Sequence, residues 1–212
     1  MYVEVFELAQ SDPDRLARLF PDDSASDQEP ESNALHRGAV KSWRALGVVE
    51  RDLAFYLDAM ETNLAVLALG PPASITGSER AAKKFEKDLL RPTHIFSSLL
   101  FTPSTGIAKR DGERRANLRT ARIALAVERW RLAHGNQVPE SLTVLVPQYL
   151  DRLPPDPFDG QPMRFKRLNK GYVVYSIGRD GEDNSGREKP PHSAKLPAEQ
   201  REHVDVTFTV TR

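Results

Sequence analysis

The chain contains no cysteine, which excludes disulfides, thiolate nucleophiles and cysteine-ligated zinc or iron–sulfur sites. It also lacks any apolar run near the ~18 residues that a membrane-spanning helix needs. The longest candidates, Leu64 to Leu69 and Ile95 to Phe101, are core-sized. The start, Met1-Tyr2-Val3-Glu4-Val5-Phe6-Glu7, has no basic segment followed by an apolar one, the pattern of a secretory leader. Neither sign of charge is in excess, since 30 Lys and Arg balance 30 Asp and Glu. No one-signed field is available to hold a nucleic-acid backbone or an anionic membrane surface. Charged residues still make up 28% of the chain and apolar residues 39%, a balance that suits a folded globular protein. The 212 residues allow one large domain or two small ones.

Recognisable catalytic patterns are missing too. There is no Gly-x-Ser-x-Gly elbow and no Gly-x-x-x-x-Gly-Lys-Ser/Thr phosphate loop. None of the histidines His36, His94, His134, His192 and His203 forms a pair at metal-ligand spacing. His134, at the end of a helical stretch, suits a favourable dipole contact better than a ligand role. A non-enzymatic protein is expected.

What is present reads as helices followed by strands. Residues 2–20 alternate briefly before Ser11-Asp12-Pro13-Asp14, where Asp12 suits an N-cap and Pro13 the first position of a short helix through Phe20. Residues 21–34 are Asp, Ser, Glu and Pro with almost no apolar content, the composition of a loop. Trp43, Leu46, Leu53, Leu57, Met60, Leu64 and Leu67 then recur at helical spacing. Gly70-Pro71-Pro72 stops that helix. Ser78 is placed to cap a second helix over 79–90, ended by Arg91-Pro92, and 93–101 reads as apolar and helical.

A long helix runs from the region of Pro103 and Ser104 to His134, ended by Gly135-Asn136. It carries two apolar stripes: Leu118, Ala121, Leu125 and Leu132 on one side, and Ile123, Val127 and Trp130 nearly opposite. A helix apolar on two sides is packed on two sides. The expectation is that it lies between a C-terminal sheet and the N-terminal helices, joining both halves into one unit.

A short helix with Leu142, Leu145, Val146 and Leu150 follows, then a proline-rich stretch from Leu153 to Pro162 that rules out regular structure. Three strand signals end the chain. They are the alternation around Met163, Phe165 and Arg167, the β-prone run Tyr172 to Ile177 after the turn Asn169-Lys170-Gly171, and the alternation of Val204, Val206, Phe208 and Val210 with Asp205 and threonines. Residues 178–203 form a long polar loop between the last two strands.

Three groups could carry chemistry. The loop from Ser176 to Glu188 gathers Asp180, Glu182, Asp183, Asn184 and Glu188 with Gly178, Gly181 and Gly186. Such a loop is either a hard-oxygen cation site, since calcium takes ~6–8 oxygens, or a solvated acidic loop with turn-forming residues. Lys109, Arg110, Arg114, Arg115, Arg119 and Arg122 form a basic stretch. Asp111 and Glu113 interrupt it and no aromatics interleave for base stacking, so it reads as a solvated helix face. Tyr149, Phe158 and Tyr175 read as packing between sheet and helix rather than as the lining of a ligand groove.

The ordered segments "HGNQVPESLTVLVPQYLDRLPPDPFDGQPMRF" and "GYVVYSIGRDGEDNSG" resemble the head of the major pseudopilin of type II secretion, the general secretion pathway protein G family. The matching residues include Gly135, Pro139, Leu142, Leu145, Asp156, Pro157, Phe158, Gly171, Tyr172, Ser176, Gly178, Asp180 and Gly181. The resemblance covers about the last 95 residues, counted from Leu118 to Arg212. The fold class expected for the whole chain is α+β: a helical N-terminal region over 1–102, read from its periodicity, then a head over 103–212 for which the resemblance implies a spine helix, a short helix and a small three-stranded antiparallel sheet. The resemblance implies calcium in the last loop, held by Asp180 and the Ile177 carbonyl, with Asp183 standing in for a later family aspartate. It further implies a non-enzymatic structural component of a type II secretion or type IV pilus-like assembly. The partners would be other pseudopilins or secretion-assembly proteins, on the periplasmic side of the inner membrane. The family's leader and apolar anchor have no counterpart in the sequence, and the expectation is an anchor removed ahead of Met1. The Asp-Pro turn carries one extra residue, Asp159, and residues 1–102 have no recognised counterpart. The other readings are a free-standing binding module built on such a head and, last, a hydrolase using the acidic loop.

Overall fold

The structure, a computed structural model, describes residues 2–12, 42, 46–188 and 204–211. The helix expected over 13–20, Trp43, the 21–34 loop and His36, His192 and His203 lie outside the described residues. The fold class is α+β, as expected. The chain divides into two compact units, residues 1–65 with 79–104, and residues 66–78 with 105–212. The division falls beside the 102/103 boundary read from the sequence, but the short segment 66–78 belongs with the C-terminal unit.

The N-terminal unit is helical. Residues Tyr2–Ser11 form α1, where the sequence suggested only brief alternation. Phe6 is fully buried and is flanked by the half-buried Val5 and Leu8, so one face of this turn anchors the segment. Helix α2 spans Val48–Ala68 and ends at Gly70, whose φ of +70° is the left-handed value that suits glycine. Its buried face differs from the leucine pattern. Val49, Asp52, Tyr56, Ala59 and Asn63 are buried, while Leu46, Leu57 and Leu64 are exposed. Helix α3, Ala73–Leu89, starts six residues earlier than 79, because Pro72 offers its carbonyl to the N–H groups of Ile75 and Thr76. Ser78 therefore lies inside the helix and donates to the Ile75 carbonyl at 2.9 Å instead of capping. Helix α4, Ile95–Leu100, follows. Phe6, Val49, Tyr56 and Phe96 form one small core, and Ala59, Ala81 and Phe85 with Phe55 and Phe101 form another.

The C-terminal unit is built on helix α5, Thr105–Ala133. Ala108, Gly112, Ala116, Thr120 and Ala124 recur every fourth residue on its buried side, so this ridge is low and neighbours approach closely. A Cβ at Gly112 would meet the Ile75 side chain at 3.0 Å and Phe158 at 3.2 Å. Ile123 and Val127 carry the main core with Leu142, Leu145, Leu150, Met163, Tyr172 and Val174. The expected short helix is a single 3-10 turn, Leu142–Leu145. Strands β1 (Arg164–Leu168), β2 (Gly171–Ser176) and β3 (Val206–Thr211) form an antiparallel sheet in that order, and α5 packs on β2 and β3. Gly171 has φ +108°, and a Cβ there would stand 1.8 Å from the Val210 carbonyl oxygen, so the hairpin requires glycine.

One expectation about α5 is overturned. Ile123 and Val127 are buried, but Leu118, Leu125 and Leu132 are exposed. The helix is packed along one side, and the second leucine stripe faces solvent.

Candidate functional site

The site grows from the proline-rich turn. In Pro154-Pro155-Asp156-Pro157 the prolines offer no N–H and fix φ, so no ladder forms. The turn closes instead through the Asp156 N–H to the Gln161 carbonyl at 2.6 Å and the Gly160 N–H to the Asp156 carbonyl at 2.9 Å. The closure leaves the Asp156 side chain fully buried. Its Oδ1 accepts from the Phe158 N–H at 2.9 Å and the Ser176 hydroxyl at 2.7 Å. Its Oδ2 accepts from the Ile177 N–H at 3.0 Å and from Arg164 Nη1 at 3.0 Å. A buried carboxylate is tolerated only when paired and hydrogen-bonded, and these four donors meet that need.

Arg164, the first residue of β1, spends all three nitrogens on carboxylates. Besides Asp156, Nη2 reaches Asp159 at 2.8 Å and Nε reaches Asp183 at 3.1 Å. Burial lowers its affinity for the proton, but the hydrogen bond it donates to Asp159 and the charges of Asp159, Asp156 and Asp183 outweigh that, and the net shift is upward. The guanidinium thus joins the proline turn, the start of the sheet and the loop after β2. A bidentate bridge from Arg179 to Glu113 ties the same loop to α5.

The loop after β2 is ordered from inside. Asp205, read from sequence as a solvent-facing alternation partner, is buried. It accepts N–H bonds from Asn184 at 3.3 Å, Gly186 at 2.7 Å and Arg187 at 3.2 Å. Burial pushes its proton affinity up against the pull of those bonds. Burial likewise raises Tyr175, helped by the neighbouring Asp183 charge.

Of the residues assigned to calcium by resemblance, Asp180 and Asp183 have side-chain partners of their own, and Ile177 is bonded through its N–H. Asp180 accepts from the Glu182 N–H at 3.2 Å and Asn184 Nδ2 at 3.1 Å. Asp183 accepts from the Ser185 N–H at 2.9 Å and from Arg164. The Ser185 bond, then Arg164, hold its carboxyl below the usual range against desolvation. The Ile177 N–H is bonded to Asp156. Among the described residues no three His, Asp or Glu side chains gather as a metal-binding group. A guanidinium is bonded to Asp183 Oδ2, so that oxygen already faces a positive charge.

Other sequence candidates take structural places. His134 stacks on Trp130 with ring centroids 4.1 Å apart, and His94 stacks on Phe55 at 4.0 Å. In the basic stretch, Arg115 pairs with Asp111 and Arg119 donates to the Pro155 carbonyl. Burial, then the Arg115 charge, lowers the Arg119 proton affinity. Tyr149 packs against the main core, and Phe158 lies against Gly112. An open groove of about 470 Å³ lies beside β1, lined by Lys166, Val173, Asn184, Arg187 and Thr209 among others.

Sequence reasoning missed Arg164 and Asp205 as site residues. Their positions inside alternating strand patterns gave the only signal, and that signal reads as solvent. No helix among the described residues is long and apolar enough to cross a membrane. A scan against protein-family models finds no match, and searches of the curated proteins and of the solved structures find none.

Proposed function

We propose that the chain is a non-enzymatic, pseudopilin-like component of a type II secretion or type IV pilus-like assembly, acting by protein–protein packing. The observation that supports it is the bond from Ser176 to Asp156 and from Ile177 to the same carboxylate. Asp156 opens the Asp-Pro-Phe segment of the resemblance, and Ser176 opens Ser-x-Gly-x-Asp-Gly. Two motifs 20 residues apart are thus one structural device, placed at the end of a small antiparallel sheet that a long helix covers. Calcium in the last loop remains part of the proposal as an ordering ion, beside the bond that Arg164 already makes to Asp183.

The test is genetic and direct. Deleting the gene in its own host is expected to reduce secreted or pilus-dependent products, with restoration by the wild-type gene and weaker restoration by Asp156→Ala. Unchanged secretion and pilus output in the deletion strain would remove the reading. The alternative, a free-standing binding module, is favoured by one observation: residues 2–12 and 46–65 with 79–104 make cores of their own, as a separate recognition unit would.

A further inference from the structure

The sheet of the C-terminal unit has an open, basic edge. The strand order β1-β2-β3 puts β1 on the outside. Its backbone pairs with β2 and, among the described residues, with no other backbone. Lys166, Arg167 and Lys170 are exposed, and no acid stands between Arg164 and Gly171 in the sequence. Among the described residues none of these three cations has a side-chain partner. Beside this edge lies the groove of about 470 Å³, a size common for ligand sites. Its floor is a cross-strand row, Lys166 opposite Val173 and Val173 opposite Thr209. Val173 alternates with the core residues Tyr172 and Val174, so the groove is on the sheet face turned away from that core. Asn184, Arg187 and Glu188 form the far wall. Arg187 is exposed, and its side chain too has no partner among the described residues. Glu188 is the one acid that lines the groove, against Lys166 and Arg187.

We infer that β1 is a docking edge for an acidic, extended peptide segment of another protein. The segment adds to the sheet as a further strand and sets alternate carboxylates against Lys166 and Arg187. The free N–H and C=O groups of an edge strand supply affinity without regard to sequence, and the side chains beside it supply choice. Lysine and arginine on an edge deter neutral and basic strands, a second copy of β1 among them. An acidic strand is the partner they do not deter. Successive side chains of a strand point to opposite faces, so acids at every second position would all face the groove. A dense polyanion suits the site less well, because Glu188 stands in its wall and no aromatic ring lines it to stack a base. The contact is far smaller than a standard interface of about 1,600 Å², so binding is weak and depends on salt. The inference uses the C-terminal unit alone and stands apart from the pseudopilin-like reading.

The experiment is fluorescence anisotropy of a labelled peptide of about eight residues, long enough to pair along β1, in which glutamate alternates with threonine. The full chain is titrated into it up to about 1 mM, the range of a contact this small. Saturable binding is expected, and weaker binding in high salt. Replacing each threonine of the peptide by proline keeps every carboxylate but removes the N–H groups a ladder needs; affinity is expected to fall at least about tenfold. The double variant Lys166→Glu/Arg187→Glu, with unchanged circular dichroism, is expected to lose the glutamate peptide by a similar factor and to gain a peptide with lysine in place of glutamate. No binding of the glutamate peptide by wild type overturns the inference. So does equal binding of the proline peptide, or binding of the glutamate peptide that survives the double variant. Tighter binding of a single-stranded oligonucleotide or of phosphatidylserine vesicles through the same two residues would assign the edge to another class of partner and overturn it as well.

Discussion

Asp52 in the N-terminal unit and Asp156 in the C-terminal unit are both buried and both join distant segments, and the two are satisfied differently. Asp52 on α2 is nearly inaccessible and is met by neutral donors alone. The Phe96 N–H reaches it at 2.7 Å, the Ser97 N–H at 3.2 Å, and the Ser97 hydroxyl adds a further bond. These N–H groups open α4, whose preceding residue His94 gives no side-chain cap. Asp52 therefore serves as a cap supplied from 44 residues away. Asp156 also receives backbone and serine donors, but adds Arg164, which in turn holds Asp159 and Asp183. The lesson lies in reach. Two segments can be pinned by a carboxylate and N–H groups. Joining a proline turn, a strand and a long loop takes a side chain with several donors in a fixed fork.

The largest effect is expected at Asp156. Asp156→Ala removes the most buried of the three carboxylates that Arg164 holds and leaves the Ile177 N–H and Ser176 hydroxyl without their acceptor. A loss of about 3–5 kcal/mol is expected, as for one side of a buried ion pair. Urea unfolding followed through Trp130, in a Trp43→Phe background, checks it. Asp52→Ala strips α4 of its cap with no charge left behind, and about 2–3 kcal/mol is expected. The sharper comparison uses asparagine. Asp52→Asn keeps an acceptor for neutral donors and is expected to cost about 1 kcal/mol. Asp156→Asn also loses the charge facing Arg164 and is expected to cost clearly more. Equal costs for the two asparagine variants would mean that the arginine adds nothing.

These sites were unequally legible. The Asp-Pro turn, the Gly171 hairpin and the three strands follow from local chemistry, and the residues carry it within a few positions. Asp52 was hidden because the leucines of α2 mark a stripe, and Asp52, Tyr56, Ala59 and Asn63 lie on a different one. That polar-containing face is buried only because Ser97 and Ser104 arrive to bond Asp52 and Asn63, from 45 and 41 residues away. Periodicity weighs hydrophobicity within a helix and cannot weigh a donor that arrives from elsewhere. Asp205 was hidden in the same way: alternation marks it polar, and polar reads as outward until three loop N–H groups turn to meet it.

Acid gives a smaller effect with a defined sign. Asp183 is held below its ordinary value, so its contribution is complete above the unfolded value near ~3.9 and is lost as pH falls through its lower folded value. Asp205 is raised, so its native proton is held more tightly than in the unfolded chain. Its burial penalty applies above its folded value and is relieved on acidification. The two oppose each other. Asp183→Asn is therefore expected to flatten the fall in stability between pH 7 and pH 3, by less than about 1 kcal/mol because the side chain is half exposed. A fall as steep as that of the wild type would show that the Arg164–Asp183 bond carries no acid sensitivity.

The smallest expected effect is the one that separates a guanidinium from a metal. If Arg164 supplies the positive charge that the resemblance assigns to calcium, millimolar calcium or a chelator leaves the wild-type melting temperature unchanged, because Asp183 already has its cation. Arg164→Ala removes that cation and leaves Asp156, Asp159 and Asp183 facing one another, a like-charge group that destabilises the native state. That variant is expected to melt lower than the wild type and to recover part of the loss in calcium, since an ion that binds only the native state stabilises it by mass action. Magnesium is expected to help less, being reluctant to shed water for an irregular oxygen cage. A calcium-dependent shift in the wild type would instead place a metal beside the arginine, and the contrast between the two buried aspartates would then rest on a bound ion as much as on a side chain.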